Sequence, residues 1–357
     1  MKNPDFKLQE KYADSNFLAA CRSEPHSIVP IWFMRQAGRS LPEYRKIRGG
    51  GSILDVAADP ERAALITLQP IKRYGVDAAI LFSDIMVPVH SVGFGIDIEP
   101  GVGPVAQKPF ESIDDLKRLR ELEPEQDLPY IRETIEILLD ECEIPIIGFA
   151  GAPFTVASYL IEGKPSRELK KTKALIKENP ELWKLLMNRL SDIAITSLKH
   201  QINSGASAVQ LFDTWAGLLD PKIYEAHVFP FSQKVLGAIK HMGVPRIHFG
   251  LNTEPVLPLL AKAGAEVVGV DSKTPIDVAR KLLGNKIALQ GNLDPAICSE
   301  PIKVVETAVA DILKRNGNNP GHIFNLGHGV LPDTDPGVLA HVVEMVHAHK
   351  FFETSHG

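Results

Sequence analysis

Short apolar segments recur along the chain, and each is followed by a loop and then by a longer segment with helical periodicity. The apolar segments cover residues 28–34, 76–83, 144–150, 208–213, 246–250, 266–271, 287–292 and 322–327. They are rich in β-branched or aromatic residues, and their apolar positions are continuous rather than alternating. Such segments are typical of parallel strands that are buried on both faces. The pattern therefore predicts eight parallel strands.

The segments between these strands carry helix start signals. An Asp, Asn or Thr directly precedes a proline at 59–60, 179–180, 220–221, 274–275 and 335–336. A capping side chain followed by proline at the first helical position favours a helix that begins there. We predict helices over 59–75 and 179–205, and further helices over 128–143, 254–263, 301–315 and 337–352.

This alternation of strands and helices predicts the fold class. Eight strands that alternate with helices indicate an α/β protein with a single (β/α)8 TIM barrel. We expect one domain over residues 1–357, with a short N-terminal extension at 1–25. An open doubly wound sheet is the alternative. It is disfavoured because the first strand leads into Arg35-Gln36-Ala37-Gly38-Arg39 instead of a G-x-G-x-x-G turn.

Composition and charge limit the partners. The formal net charge is -5, so nucleic acid is not an expected partner, and a polyanionic ligand needs a local basic cluster. Cys21, Cys142 and Cys298 form no C-x-x-C pair, which favours a reducing compartment and argues against disulfides or a cysteine zinc site. Residues 1–25 lack the apolar segment of a signal peptide, so we expect a cytoplasmic protein. The uncharged stretch 144–161 contains prolines and glycines, and it is interpreted as a strand, a loop and a helix start rather than as a membrane span.

The loop after the first strand is strongly basic. Residues 35–48 contain Arg35, Arg39, Arg45, Lys46 and Arg48 against one acidic residue, and three glycines follow at 49–51. Arginine binds carboxylates through two parallel hydrogen bonds, and the glycines imply a mobile loop. The sequence therefore favours an anion-binding loop, with a solvated basic loop as the alternative.

Further polar residues follow other strands, where a barrel builds its active site. Asp84 and Thr214 lie just past buried segments, and each has helix capping as an alternative role. Tyr159 has core packing as its alternative. His328 stands between two glycines, which gives it backbone freedom and little local packing, so a functional imidazole is favoured there. No H-E-x-x-H, P-loop or G-x-S-x-G motif is present.

The motifs that follow the strands, and their order along the chain, resemble those of the uroporphyrinogen decarboxylase family. The matching motifs are Met34-Arg35-Gln36-Ala37-Gly38-Arg39, Leu41-Pro42-Glu43-Tyr44-Arg45, Phe82-Ser83-Asp84-Ile85, Gly151-Ala152-Pro153-Phe154-Thr155, Tyr159 with Glu162-Gly163, Phe212-Asp213-Thr214-Trp215-Ala216-Gly217, Gln290-Gly291-Asn292-Leu293-Asp294-Pro295 and Asn325-Leu326-Gly327-His328-Gly329. The resemblance covers essentially the whole chain.

The resemblance implies a (β/α)8 barrel that works as a homodimer. It implies conversion of uroporphyrinogen III to coproporphyrinogen III with loss of four CO2, using neither a metal nor an organic cofactor. The substrate-contacting positions that it implies are Arg35, Gln36, Ala37, Gly38, Arg39, Asp84, Tyr159, Thr214 and His328, and Arg48 fits the family's basic loop. We expect Asp84 to stabilise the transition state, while Arg35, Arg39, Tyr159 and His328 are candidates for the proton donor. Many relatives have Ser at the place of Thr214, and either hydroxyl can bind a carboxylate.

Two other functions remain as alternatives. A zinc-dependent methyltransferase of the corrinoid or methionine-synthase type has a related barrel, but it needs a zinc site of His and Cys, and the three cysteines do not stand at strand ends beside a histidine. A non-enzymatic tetrapyrrole carrier would use the same basic pocket. Release of CO2 distinguishes the decarboxylase from both.

Overall fold

The computed structural model describes residues 7–38, 40–49 and 52–349. Seven of its strands form a parallel sheet in the order β1-β4-β5-β6-β7-β8-β9, and β2 pairs with β3 in an antiparallel hairpin. The strands are β1 Ala79–Ile80, β2 Ile96–Glu99, β3 Gly103–Ala106, β4 Ile146–Gly151, β5 Ala208–Asp213, β6 Arg246–Gly250, β7 Val267–Gly269, β8 Ala288–Gln290 and β9 His322–Ile323. The predicted α/β class and parallel sheet are confirmed.

Helices connect successive strands and cover the sheet. They are α1 Lys7–Glu10, α2 Asn16–Cys21, α3 Pro42–Arg48, α4 Ile53–Ala57, α5 Pro60–Tyr74, α6 Val87–Ser91, α7 Pro124–Asp127, α8 Pro129–Glu141, α9 Pro153–Glu162, α10 Lys170–Glu178, α11 Pro180–Ser204, α12 Pro221–His227, α13 Phe229–Ala238, α14 Leu257–Lys262, α15 Ile276–Leu283, α16 Ile302–Asn316 and α17 Pro336–Ala348. None of the helices in the described residues combines the length and apolar composition that a membrane-spanning helix needs.

Two of the predicted helix starts illustrate why these helices form. Asp59 caps α5 by accepting the Arg62 N–H at 3.1 Å, and the helix ends at Gly75, whose φ of 70° suits the left-handed C-terminal turn. Asn179 caps α11 in the same way. The predicted helix 254–263 is instead divided into a 3-10 turn and α14, because Pro258 cannot donate a helical hydrogen bond.

The first predicted strand, 28–34, is not a regular strand. Only Ile31 forms a bridge there, to Phe324, and the Pro30 carbonyl accepts the Phe324 N–H. Pro30 has no N–H to donate, and the Phe33 and Met34 N–H groups bond to side-chain oxygens instead of to a neighbouring strand. The ladder is therefore short, although the segment lies beside β9.

The hairpin of β2 and β3 was not predicted. In β2, Ile96 and Ile98 are buried while Asp97 and Glu99 are exposed. This alternation is typical of an antiparallel strand with one face in water, and it differs from the continuously apolar pattern on which the other strands were predicted.

The His347–Asp77 pair gives a testable pH dependence of stability. His347 Nε2 lies 2.8 Å from Asp77 Oδ2, which also accepts the Ile31 N–H at 2.7 Å. The hydrogen bond to Asp77 raises the pKa of His347 above 6.5, although burial opposes this. A raised pKa means that the pair stabilises the fold fully below about pH 6 and loses this contribution as pH rises through the folded-state pKa.

We therefore expect the parent to lose up to about 1 kcal/mol more stability than His347→Gln between about pH 6 and pH 8.5, since partly exposed ion pairs contribute roughly this much. Urea unfolding of both proteins over that range measures the difference. Parallel pH profiles would contradict it.

Candidate active site

The functional candidates lie at one edge of the sheet. Asp84 follows β1, Tyr159 lies in the helix after β4, Thr214 follows β5 and His328 follows β9. In a parallel sheet all strands end at the same edge, and loops there bring distant residues together. The structure thus places these four predicted residues on one side of the molecule.

Asp84 is half-buried, and hydrogen bonds from the next turn of backbone hold it in place. Its Oδ1 accepts the Met86 N–H at 2.9 Å, and its carbonyl accepts the Val87 N–H at 3.1 Å. The carboxylate therefore does cap the turn before α6. This cap also holds the carboxylate in one orientation at the edge of the sheet, so the structural and functional roles are compatible.

Tyr159 is electrostatically coupled to the other candidates. Burial and then the negative charge of Asp84 raise the pKa of Tyr159 to about 12, against a hydrogen bond from Trp215 and the positive charge of Arg35. Its ring packs against Trp215 with centroids 5.6 Å apart at 65°. Tyr159 thus keeps its proton at neutral pH, and its hydroxyl can donate a hydrogen bond to a ligand.

Trp215 is held by a set of buried polar residues that was not predicted. Thr155 Oγ1 donates to Asp213 Oδ1 at 2.8 Å and accepts the Trp215 N–H at 3.2 Å. Asp213 is fully buried, and the Tyr224 hydroxyl lies 3.5 Å from its other oxygen. This network fixes the turn that carries the half-buried Thr214.

Arg35 lies against the His328 loop. The Val330 N–H donates to the Met34 carbonyl at 2.9 Å, and a Cβ on Gly329 would lie only 2.6 Å from Arg35 Cδ. Any side chain at 329 would therefore displace Arg35 from this position. Arg35 itself is exposed, and so is His328.

The rest of the basic segment is only partly described. Residues 42–48, which the sequence predicts to belong to a loop, instead form α3 with Pro42 at its first position. This helix carries Arg48, whose buried Nε has no hydrogen-bond partner among the described residues. Arg39 lies outside the described residues, and so do two of the three glycines. The prediction of a mobile segment therefore stays a prediction.

Gln36, Ala37 and Gly38 are less exposed to solvent than the neighbouring Arg35. The Gln36 side chain is 1% exposed; its Oε1 accepts the Phe33 N–H at 3.0 Å and its Nε2 donates to the Ala78 carbonyl at 2.9 Å. Gly38 is buried and Ala37 half-buried. The Gln36 side chain thus anchors the basic segment instead of facing solvent.

We expect Gln36→Ala to destabilise the protein by about 2–4 kcal/mol, because it leaves two buried backbone groups without partners. Chemical unfolding measures this, with the exposed Gln126→Ala as a control that should change stability by less than about 0.5 kcal/mol. Equal stability of the two variants would contradict the anchoring role.

Comparison with known proteins identifies the family. The family model described as uroporphyrinogen decarboxylase (URO-D) matches residues 12–349. A uroporphyrinogen decarboxylase of Salinispora tropica is 53% identical over 336 residues, covering 94% of this chain and 90% of the relative. One of Nocardioides sp. is 49% identical and covers 97% of this chain and 99% of the relative. The chain belongs to the uroporphyrinogen decarboxylase family.

This result confirms the resemblance and makes the chain a carboxy-lyase. Solved structures agree in fold alone. A methyltransferase from Methanosarcina mazei has a TM-score of 0.74 at 20% identity, with 93% of this chain and 97% of that chain covered. A B12-independent methionine synthase from Shewanella sp. has a TM-score of 0.54 at 13% identity, with 80% and 87% covered.

The metal-binding residues of the methyltransferase alternative are not assembled in the part of the chain that is described. No three His, Cys, Asp or Glu side chains are grouped there so as to hold a metal ion. Cys21, Cys142 and Cys298 are all buried, and burial raises the pKa of the Cys298 thiol to about 12. A protonated, buried thiol is a poor zinc ligand.

Proposed function

We propose that the chain decarboxylates uroporphyrinogen III to coproporphyrinogen III, converting four acetate side chains to methyl groups without a cofactor. The observation that carries this proposal is the Asp84 carboxylate, which is held in one orientation by its hydrogen bond from the Met86 N–H. Its negative charge acts on Tyr159, as does the positive charge of Arg35. The substrate has eight peripheral carboxylates and a centre of four pyrrole N–H groups. A basic rim around one central carboxylate is complementary to it.

In this proposal the rim arginines Arg35, Arg39 and Arg48 bind peripheral carboxylates. Ala37 and Gly38 contact the substrate through their main chain, and Gln36 positions them. Tyr159, Thr214 and His328 follow other strands of the same edge and offer hydrogen bonds. Asp84 accepts hydrogen bonds from the pyrrole N–H groups, because a macrocycle that domes over one carboxylate can direct several N–H groups to it.

The chemistry explains why a carboxylate is needed at the centre. A proton adds to the pyrrole α-carbon, and the ring becomes an electron sink with positive charge. The bond to the acetate carboxyl breaks, its electron pair enters the ring, and CO2 leaves. The exocyclic carbon then takes a proton to become a methyl group, and the ring returns its extra proton. Asp84 stabilises the positive charge of the intermediate electrostatically.

The candidates for the proton donor are Arg35, Arg39, Tyr159 and His328. Arginine is a weak acid at neutral pH, and the pKa of Tyr159 is raised to about 12. His328 is exposed and has the ring whose ordinary pKa best suits proton transfer at neutral pH.

The proposal includes a closed (β/α)8 barrel over residues 1–357 as one domain. It is supported at the gap between β9 and β1, where Ile31 bridges to Phe324 on one side and exchanges hydrogen bonds with Asp77 on the other. It also includes a cytoplasmic homodimer, as the family resemblance implies. Three buried, unpaired cysteines are compatible with a reducing compartment.

The test is CO2 release from anaerobically reduced uroporphyrinogen by protein that has been exhaustively chelated. We expect activity to survive chelation unchanged, because the protonated pyrrole ring is itself the electron sink and Asp84 stabilises its positive charge. Loss of activity with EDTA and recovery with zinc would contradict the proposal in favour of the methyltransferase. Tight binding without any CO2 release would favour the carrier.

A further inference from the structure

The backbone at Arg35 is strained. Its φ of 61° lies in the left-handed region, which residues other than glycine, asparagine and aspartate rarely adopt. Arg35 is the third residue of a tight turn that the Gln36 N–H closes by donating to the Phe33 carbonyl at 2.9 Å. Glycine is the usual residue where that position of a turn needs a positive φ. Such strain persists only where surrounding contacts fix the backbone, and it points to a functional constraint on the residue that bears it.

Three separate parts of the chain hold Met34, the residue before Arg35. The Met34 N–H donates to Asn325 Oδ1 at 3.0 Å, and the Met34 carbonyl accepts the Val330 N–H at 2.9 Å. The Met34 sulfur, a weak acceptor, lies 3.8 Å from the Nε2 donor of the buried Gln210. The N–H, the carbonyl and the sulfur of Met34 are therefore all engaged, and the turn that carries Arg35 begins from a fixed position.

Asn325 joins this turn to the loop that carries His328. Its side chain is fully buried, and its single oxygen accepts the Leu326 N–H at 2.8 Å in addition to the Met34 N–H. One oxygen thus fixes the main chain directly before Arg35 and the main chain two residues before His328. The two segments are held against each other at this point.

Gly329 meets Arg35 from the other side of the same loop. A Cβ at position 329 would lie 2.6 Å from Arg35 Cδ and 2.9 Å from Arg35 Cγ. The φ of Gly329 is not in the left-handed region, so the backbone there does not itself demand glycine. The missing side chain instead leaves the space in which the aliphatic part of Arg35 lies.

We propose that Asn325 and Gly329 are positioning residues for Arg35: Asn325 fixes the main chain that leads into it, and Gly329 leaves the space that its side chain occupies. The inference rests on the proposed function, in which Arg35 binds a carboxylate of the substrate. A guanidinium group forms two parallel hydrogen bonds to a carboxylate only in a narrow range of orientations. A side chain that is already held in place also loses less conformational entropy when the substrate binds.

The test measures kcat/KM for CO2 release from uroporphyrinogen in double-mutant cycles with Arg35→Ala. We expect Asn325→Ala to lower kcat/KM roughly 10-fold or more in the parent, because displacement of a binding group by about 1 Å can cost as much as about 100-fold. Gly329→Ala should lower it roughly 5- to 20-fold, since Arg35 must move aside. In the Arg35→Ala background each change should cost less than about twofold, because the side chain through which it acts is gone.

Asn316→Ala is the matched control for Asn325→Ala. Asn316 is also buried, and its Nδ2 donates to the Gly317 and Asn319 carbonyls at 3.2 and 3.1 Å. It ends α16 and precedes β9, so it lies at the edge of the sheet opposite to the site. This variant removes two hydrogen bonds between a buried asparagine and the backbone, and it should lower Tm as Asn325→Ala does while kcat/KM stays unchanged.

Gly329→Ala carries the test even if Asn325→Ala does not fold. The atoms that its Cβ meets belong to a flexible, exposed side chain, so Tm should stay close to that of the parent. Parent-like kcat/KM in Gly329→Ala would overturn the inference. The same fold loss in the parent and Arg35→Ala backgrounds, for either residue, would also overturn it, because that residue would not act through Arg35.

Each of these contrary results leaves the decarboxylase function standing as long as the parent releases CO2. If the parent itself releases none, the proposed function falls, and this inference falls with it.

Discussion

Replacement of Asp84 by Asn should reduce turnover roughly 10- to 1000-fold, the range expected for removal of one preorganised electrostatic group. The amide keeps the shape of the side chain and its hydrogen bond to the Met86 N–H, but it removes the negative charge. Binding should fall less, because the rim arginines still hold the carboxylates. Stability should change by about 1 kcal/mol or less, since Asn is also a good cap. Turnover and thermal unfolding are measured on the same preparation.

Asp335→Asn is the matched control for this prediction. Asp335 Oδ1 accepts the Gly337 N–H at 2.7 Å, in the same arrangement of a carboxylate and the N–H two residues later. This variant should keep full turnover. A fully active Asp84→Asn protein would remove Asp84 from the mechanism and leave it as a cap only.

Replacement of Arg35 by Ala should weaken binding of the eight-carboxylate substrate by about 2–5 kcal/mol, because one member of a charged, hydrogen-bonded pair is lost. Arg39→Ala should have an effect of the same order. Arg35→Lys should recover only part of the affinity, since lysine keeps the charge but not the two parallel hydrogen bonds. The exposed Arg73→Ala is the control, and substrate affinity at fixed salt is the measurement. Unchanged affinity in Arg35→Ala would count against the basic segment as the anion site.

Much of the sheet was predictable because its strands are buried on both faces. β5 and β6 begin and end at the predicted residues, since continuous apolar positions mark such strands along their whole length. The segment at 28–34 has the same apolar pattern, but Pro30 and the side-chain bonds to Phe33 and Met34 interrupt its ladder. Pattern alone does not show which N–H groups a strand has free for its neighbour.

The location of the site was also predictable, because residues that follow parallel strands share one edge. The positioning contacts were not. Thr155 and Asp213 are 58 positions apart in the chain, and Gln36 bonds a carbonyl 42 positions away. These contacts depend on how the loops fold over the edge, which local propensity does not determine. Thr155, Asp213 and Gln36 all belong to the motifs that matched the family. The motifs therefore contained the residues but did not show that they lie close together.

The most direct test of the central claim is the carboxylate count of the product made from uroporphyrinogen III by the chelated protein. The account predicts stepwise loss of four carboxyl groups as CO2, with four new methyl groups and four retained propionates, and a carboxylate count that stops at four. A product that has gained a methyl group with all eight carboxylates intact, or an unchanged substrate that stays bound, would contradict it.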